Sequence, residues 1–150
     1  MEKLLDEGLC RAIGVSNFLQ RHLEPLVENA TIPPLVNQVE FNPFQHPQSL
    51  RQYCRDNGIL LEGYCPLGKG HILSDPRLAT IATVYGRSPA QVLLRWSLQK
   101  GVVTIPKSRR VEHVQQNLEV FDFALEERHV EEMDTWHQNL RVTWDPSRVA

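Results

Sequence analysis

The feature that most constrains this chain is a repeated unit in which a helix-like segment closed by glycine leads into a short apolar run. No tight hairpin turn links one run to the next. The runs are Ala12–Val15, Leu35–Phe41, Ile59–Tyr64 and Val102–Ile105. They are rich in Val, Ile, Leu and aromatics and bounded by Gly, Pro, Asn or Ser, as strands are. Helical spacing precedes three of them, in Leu4–Gly8, Leu50–Gly58 and Val92–Gly101, each ending on a glycine suited to a helix C-terminus. Asp75-Pro76 and Ser88-Pro89 put a capping side chain before a proline at the first helical position. His46-Pro47 is a weaker version, and Asn17 is a candidate cap for Leu19–Glu28. Further helices are expected over Val111–Asn117 and Glu126–His137. Residues 138–150 are expected to form a C-terminal loop, aperiodic from Val142 to Ala150.

Strands that alternate with helices pair in parallel, and parallel strands need both faces covered. An open doubly wound sheet and a (β/α)8 barrel both satisfy this. The residues at the ends of the runs separate them. Ser16 and Asn17 end the first run, Gln38, Glu40 and Asn42 the second, Tyr64 the third, and Lys107 with Ser108 the fourth. An open sheet gathers ligand contacts at one switch point, whereas a barrel draws them from every strand at one rim. The even spread favours the barrel, and no GxGxxG follows any run. A complete barrel needs eight strands and about 250 residues. With four runs in 150 residues, the expected architecture is α/β, a half-barrel of the TIM-barrel type comprising about the last four βα units.

Composition removes several classes of function. Lys plus Arg number 16 and Asp plus Glu 18, so a net charge of −2 gives no electrostatic case for nucleic acid or an anionic membrane. The start, MEKLLDEGLCR, lacks the apolar core of a signal peptide, and no window is apolar enough to span a bilayer. Cys10, Cys54 and Cys65 are odd in number and show no CxxC spacing, which fits a reducing, cytoplasmic setting. The six His residues show no ligand spacing, so no metal is expected. The segment Gly63–Gly70 nearly matches a phosphate-binding loop, but Gly70 stands where Ser or Thr is needed and Pro66 removes an amide donor. Glu40 and Glu62, near the ends of adjacent strands, are either a glycosidase pair or buried, hydrogen-bonded barrel residues. Lys107-Ser108-Arg109-Arg110, leading into a helix, suits a phosphate group.

Four motifs occur in order: Ile13-Gly-Val-Ser-Asn-Phe18, Asn37-Gln-Val-Glu-Phe-Asn-Pro43, Tyr64-Cys-Pro-Leu-Gly68 and Ile105-Pro-Lys-Ser108. Together with their spacing and the closing Val142-Thr-Trp-Asp-Pro146, they resemble the C-terminal half of an aldo-keto reductase. That family consists of (β/α)8 barrels that reduce aldehydes and ketones with NADPH. The resemblance implies that Ser16, Asn17 and Gln38 hydrogen-bond the nicotinamide carboxamide and that Tyr64 stacks on the ring. It also implies that Leu67 and Gly68 pass over the pyrophosphate. Lys107 and Ser108 would grip the adenosine 2′-phosphate, with Gln116 and Asn117 near the adenine. His113 stands where the family usually has arginine, which weakens the preference for NADPH over NADH, because histidine is largely uncharged near neutral pH. The family's catalytic Asp, Tyr, Lys and His all lie in its N-terminal half, and nothing here matches them, so no catalytic residue is assigned. The resemblance therefore implies a truncated form that is inactive alone toward a small carbonyl substrate. It leaves room for a non-catalytic module that binds cofactor or another subunit, and for self-association through the exposed half-barrel edges.

Overall fold

A computed structural model describes residues 1–149. It contains one sheet of four parallel strands, β1 (Gly14–Ser16), β2 (Val36–Glu40), β3 (Leu60–Tyr64) and β4 (Val103–Thr104), in the order β1-β2-β3-β4. The helices are α1 (Glu2–Asp6), α2 (Gln20–Asn29), α3 (Gln48–Asp56), α4 (Pro76–Tyr85), α5 (Pro89–Gln99), α6 (Val111–Leu118) and α7 (Glu127–Asp134). Each strand is followed by at least one helix, as parallel crossovers require. This is the expected half of an eight-stranded barrel.

Strand register gives the sheet two unlike faces. Asn37, Val39 and Leu61 are buried on the helix-covered face. On the other face Gln38 lies beside Ser16 and Glu62, while Glu40 lies beside Tyr64. Leu60 and Val103 share that second face and remain 46% and 44% exposed.

The core packs between the sheet and its helices. Trp96 of α5 is wholly buried and stacks on Phe41 at 5.2 Å between ring centroids. Its indole Nε1 donates to Asp134 at the end of α7 (3.0 Å), and the same carboxylate accepts from Lys100. Leu23, Leu50, Cys54, Leu78 and Val92 bring in one helix after another.

The helix signals at Asp75 and Ser88 form as expected. Asp75 accepts from the Arg77 amide, and Ser88 exchanges hydrogen bonds with Gln91 in a capping box. Gly8, Gly58 and Gly101 sit at positive φ after α1, α3 and α5.

Other expectations need correction. Asn17 does not cap α2: the first turn is closed by His22, whose Nδ1 accepts from the Leu19 amide at 3.1 Å. Helix α3 starts at Gln48 with no side-chain cap from His46 or Pro47. Helix α7 stops at Asp134 instead of His137, because Trp136 packs on Phe44 and His137 Nδ1 accepts from the His46 amide. The tail contains a short 3-10 turn at Pro146–Arg148, fastened by Arg21 to the carbonyls of Ser147 and Val149; Ala150 lies outside the described residues. Among the described residues no helix is long and apolar enough to cross a membrane.

Candidate functional site at the strand tips

The carboxyl ends of β1, β2 and β3 bring Ser16, Asn17, Gln38 and Tyr64 into one hydrogen-bonded group. Ser16 Oγ donates to the Gln38 carbonyl (3.0 Å), and the Asn17 amide donates to the same oxygen (2.8 Å). Asn17 has φ 59°, a left-handed conformation in which asparagine is one of the better-tolerated residues. That turn carries its side chain to Tyr64, whose hydroxyl lies 2.9 Å from Asn17 Oδ1. Gln38 Nε2 donates to Glu62 Oε1 at 2.5 Å.

Two residues that hold this group were not picked out as site residues. Asn37 is wholly buried, and its carboxamide both donates to the Phe18 carbonyl (2.9 Å) and accepts from the Phe18 amide (3.3 Å). It thereby pins the loop that follows β1. Thr143, in the C-terminal loop, contacts the Tyr64 hydroxyl (3.0 Å) and donates to Glu40 Oε2 (2.5 Å). The Val142 amide fills Glu40 Oε1 (2.9 Å), and Lys69 Nζ donates to the Val142 carbonyl (2.7 Å). Both carboxylates weighed as a glycosidase pair are thus engaged, Glu40 by the tail and Glu62 by Gln38.

Beyond Tyr64 the chain turns sharply, with Cys65, Gly68 and Lys69 all at positive φ. Gly68 takes this conformation without strain, and a Cβ there would lie 3.0 Å from the Ile72 side chain, which would have to shift to admit it. Burial pushes the Cys65 thiol above its ordinary range, with the Glu40 charge adding to the effect and Lys69 opposing it.

The second cluster surrounds a cavity of about 250 Å³. Leu67, Lys107, Ser108, His113, Gln116 and Asn117 all line it, so the segment after Tyr64, the end of the fourth strand's loop and α6 converge on one space. Ser108 Oγ accepts from the Arg110 amide at the start of α6 (3.1 Å). Lys107 is exposed, and no acidic partner holds it among the described residues. An exposed ammonium, a hydroxyl and a helix N-terminus form a chemically sound seat for a phosphate. A separate hollow of about 340 Å³ is lined by Ser16, Asn17, Phe18, Arg21 and Trp144, joining the first cluster to the tail. A larger hollow of about 610 Å³ runs along β1 between Ile13, Val15, Pro25 and Leu26, and no candidate site residue lines it.

Comparison with known proteins gives a consistent result. The model of the Aldo/keto reductase family matches residues 1–137. An uncharacterized oxidoreductase, YtbE, of Bacillus subtilis is 46% identical over 97% of this chain and 52% of its own length. A glyoxal reductase of the same organism is 45% identical over 99% of the chain and 54% of its length. The crystal structure of an aldo-keto reductase enzyme from a Medee basin deep-sea metagenome superposes with a TM-score of 0.93 at 38% identity, covering 99% of this chain and 56% of that one. The chain spans about half the length of the curated relatives it matches.

Proposed function

Because this chain belongs to the aldo/keto reductase family, we propose that its strand tips hold a nicotinamide dinucleotide, NADPH in preference to NADH, for hydride transfer to a small aldehyde or ketone. The observation that carries this reading is the arrangement of two clusters joined by one short segment. Ser16, Asn17, Gln38 and Tyr64 gather at one end, and Lys107, Ser108, His113, Gln116 and Asn117 gather around a cavity at the other. Leu67, only three residues after Tyr64, lines that same cavity.

Chemistry supports each role. The bound cofactor supplies the hydride. The Asn17 and Gln38 amides and the Ser16 hydroxyl offer donors and acceptors that fix the carboxamide and hence the ring face presented. The Tyr64 ring offers a flat surface for stacking. Leu67 and Gly68 bring backbone close to the pyrophosphate. Lys107 and Ser108 would bind the 2′-phosphate, with His113 a weaker third contact than arginine would be. A relative that reduces glyoxal is in keeping with a small carbonyl substrate.

Proton donation to the carbonyl oxygen needs an acid that no assigned residue here supplies, so the chain by itself is proposed to bind cofactor without turnover. A cytoplasmic setting suits such a cofactor. The exposed sheet face is proposed to drive self-association. The test is titration of the chain with NADPH and NADH, followed by cofactor fluorescence, and a rate assay with a panel of aldehydes. The expected result is saturable NADPH binding, weaker NADH binding and no turnover. Absence of binding by either cofactor at millimolar concentration would overturn the reading.

A further inference from the structure

The strand-tip group contains a hydrogen-bonded chain whose protons can be counted. It runs from Asn17 to Tyr64 (2.9 Å), to Thr143 (3.0 Å), to Glu40 (2.5 Å). Glu40 is only 1% exposed, and no cation pairs with it among the described residues. In its ionised form Glu40 only accepts, and Thr143 then gives it its single proton. The other Glu40 oxygen is filled by the Val142 amide. Thr143 must then accept at its contact with Tyr64, and that proton comes from the tyrosine hydroxyl. If Tyr64 instead donates to Asn17 Oδ1, two oxygens face each other at Tyr64 and Thr143 with no proton between them. Turning the Asn17 carboxamide about its last bond removes the conflict. Its Nδ2 then donates to Tyr64, and each of the three contacts holds one proton. Asn17 Oδ1 is left facing the ligand side as an acceptor.

The same logic holds one residue pair away. Gln38 Nε2 donates to Glu62 Oε1 at 2.5 Å, which leaves Gln38 Oε1 as its free end. We infer that Glu40 and Glu62 are positioning residues that set the polarity of the strand-tip amides. Glu40 acts through Thr143 and Tyr64 on Asn17, and Glu62 acts directly on Gln38. The result is a pair of carbonyl oxygens that select an –NH2 donor on the ligand. This rests on the cofactor reading above for the identity of that ligand, a nicotinamide carboxamide.

The isosteric change Glu40→Gln reverses the chain while keeping its shape. The introduced amide accepts from Val142 and donates to Thr143, Thr143 donates to Tyr64, and Tyr64 donates to Asn17 Oδ1. Asn17 then offers its –NH2 to the ligand. Two measurements test this. In isotope-labelled protein, magnetisation transfer should connect the Asn17 Nδ2 hydrogens with the Tyr64 ring hydrogens next to its hydroxyl. In Glu40→Gln that transfer should be lost while the backbone spectrum stays dispersed. In titrations, the acetylpyridine analogue of NADPH, a methyl ketone in place of the carboxamide, should bind wild-type protein about tenfold more weakly than NADPH. Glu40→Gln should shrink that ratio to about threefold or less, and Glu62→Gln should shrink it by freeing Gln38 to turn. A merely structural role would weaken both ligands alike and leave the ratio fixed. Wild-type protein with its Asn17 amide hydrogens away from Tyr64, or a ratio unmoved by either variant, overturns the inference. If no dinucleotide binds, the cofactor reading fails, and the magnetisation transfer still decides the polarity of the chain.

Discussion

Asn37 and Phe18 exchange two hydrogen bonds across β1 and β2, with the Asn37 carboxamide donating to the Phe18 carbonyl at 2.9 Å and accepting from its amide at 3.3 Å. This side chain is completely buried, so it does locally what a strand partner would do where β1 has already ended. Asn37→Ala leaves both backbone groups of Phe18 unpaired. The expected cost is about 1–3 kcal/mol in unfolding free energy, read from urea titration. NADPH affinity should fall about tenfold, because the loop carrying Ser16 and Asn17 loses its anchor. Full stability and full affinity in the variant would count against this role.

Lys107 tests the other end of the site. It lines the cavity with Ser108, His113 and Gln116 but is itself exposed, so water and salt weaken its pull on a phosphate. Charge-assisted hydrogen bonds contribute roughly 1.5–3 kcal/mol, and exposure places Lys107 at the low end. Lys107→Met should weaken NADPH binding about tenfold and leave NADH nearly unchanged. His113→Arg should tighten NADPH selectively. Equal weakening of both cofactors by Lys107→Met would remove Lys107 from the 2′-phosphate site.

What could be read along the chain and what could not differ in physical origin. The strand runs and the caps at Asp75 and Ser88 are local, since a proline and a short polar side chain determine a helix start within four residues. Asn17 was ambiguous locally: an asparagine two residues before a helical run reads as a cap. Its left-handed backbone and its bond to Tyr64, 47 positions away, decide otherwise. The partners of Glu40 were hidden for the same reason, because Thr143 lies 103 positions along the chain. Strand parity places Gln38 and Glu40 on one face, but only the register between β2 and β3 sets Gln38 beside Glu62 and Glu40 beside Tyr64.

Two histidines give the fold a pH dependence. Burial, reinforced by the nearby His137, holds the His46 imidazole below the usual 6.5. Burial and then Arg141 do the same for His137. Both rings therefore bind protons less readily in the folded chain than in the unfolded one. Their contribution to stability is intact above pH 6.5 and is lost as pH falls through that value toward the depressed folded pKa values. The urea midpoint should stay level from about pH 8 to 7 and drop by about pH 5.5. His46→Phe, which keeps an aromatic ring against Trp96, should flatten part of that slope. An unchanged slope would assign the pH dependence to other groups.

The uncovered sheet face makes the last prediction. Leu60 and Val103 are 46% and 44% exposed on one face, and Ile105, two residues beyond Val103, is 40% exposed. The outer edges of β1 and β4 carry no strand partner among the described residues. Open parallel edges beside an apolar face are poorly tolerated in water. A second copy satisfies both. With a two-fold axis along the strands, β1 of one copy meets β4 of the other in the parallel sense at both seams, and twice four strands is eight, the number at which such a barrel closes. Sedimentation should therefore give a mass that rises with concentration toward a dimer. The double substitution Leu60→Lys and Val103→Lys places charge in that face and should shift the equilibrium toward monomer by at least tenfold, a change of about 1.4 kcal/mol. Wild-type chain that remains a cooperatively unfolding monomer across the whole concentration range would show that the exposed face is tolerated without a partner, and the prediction would fail.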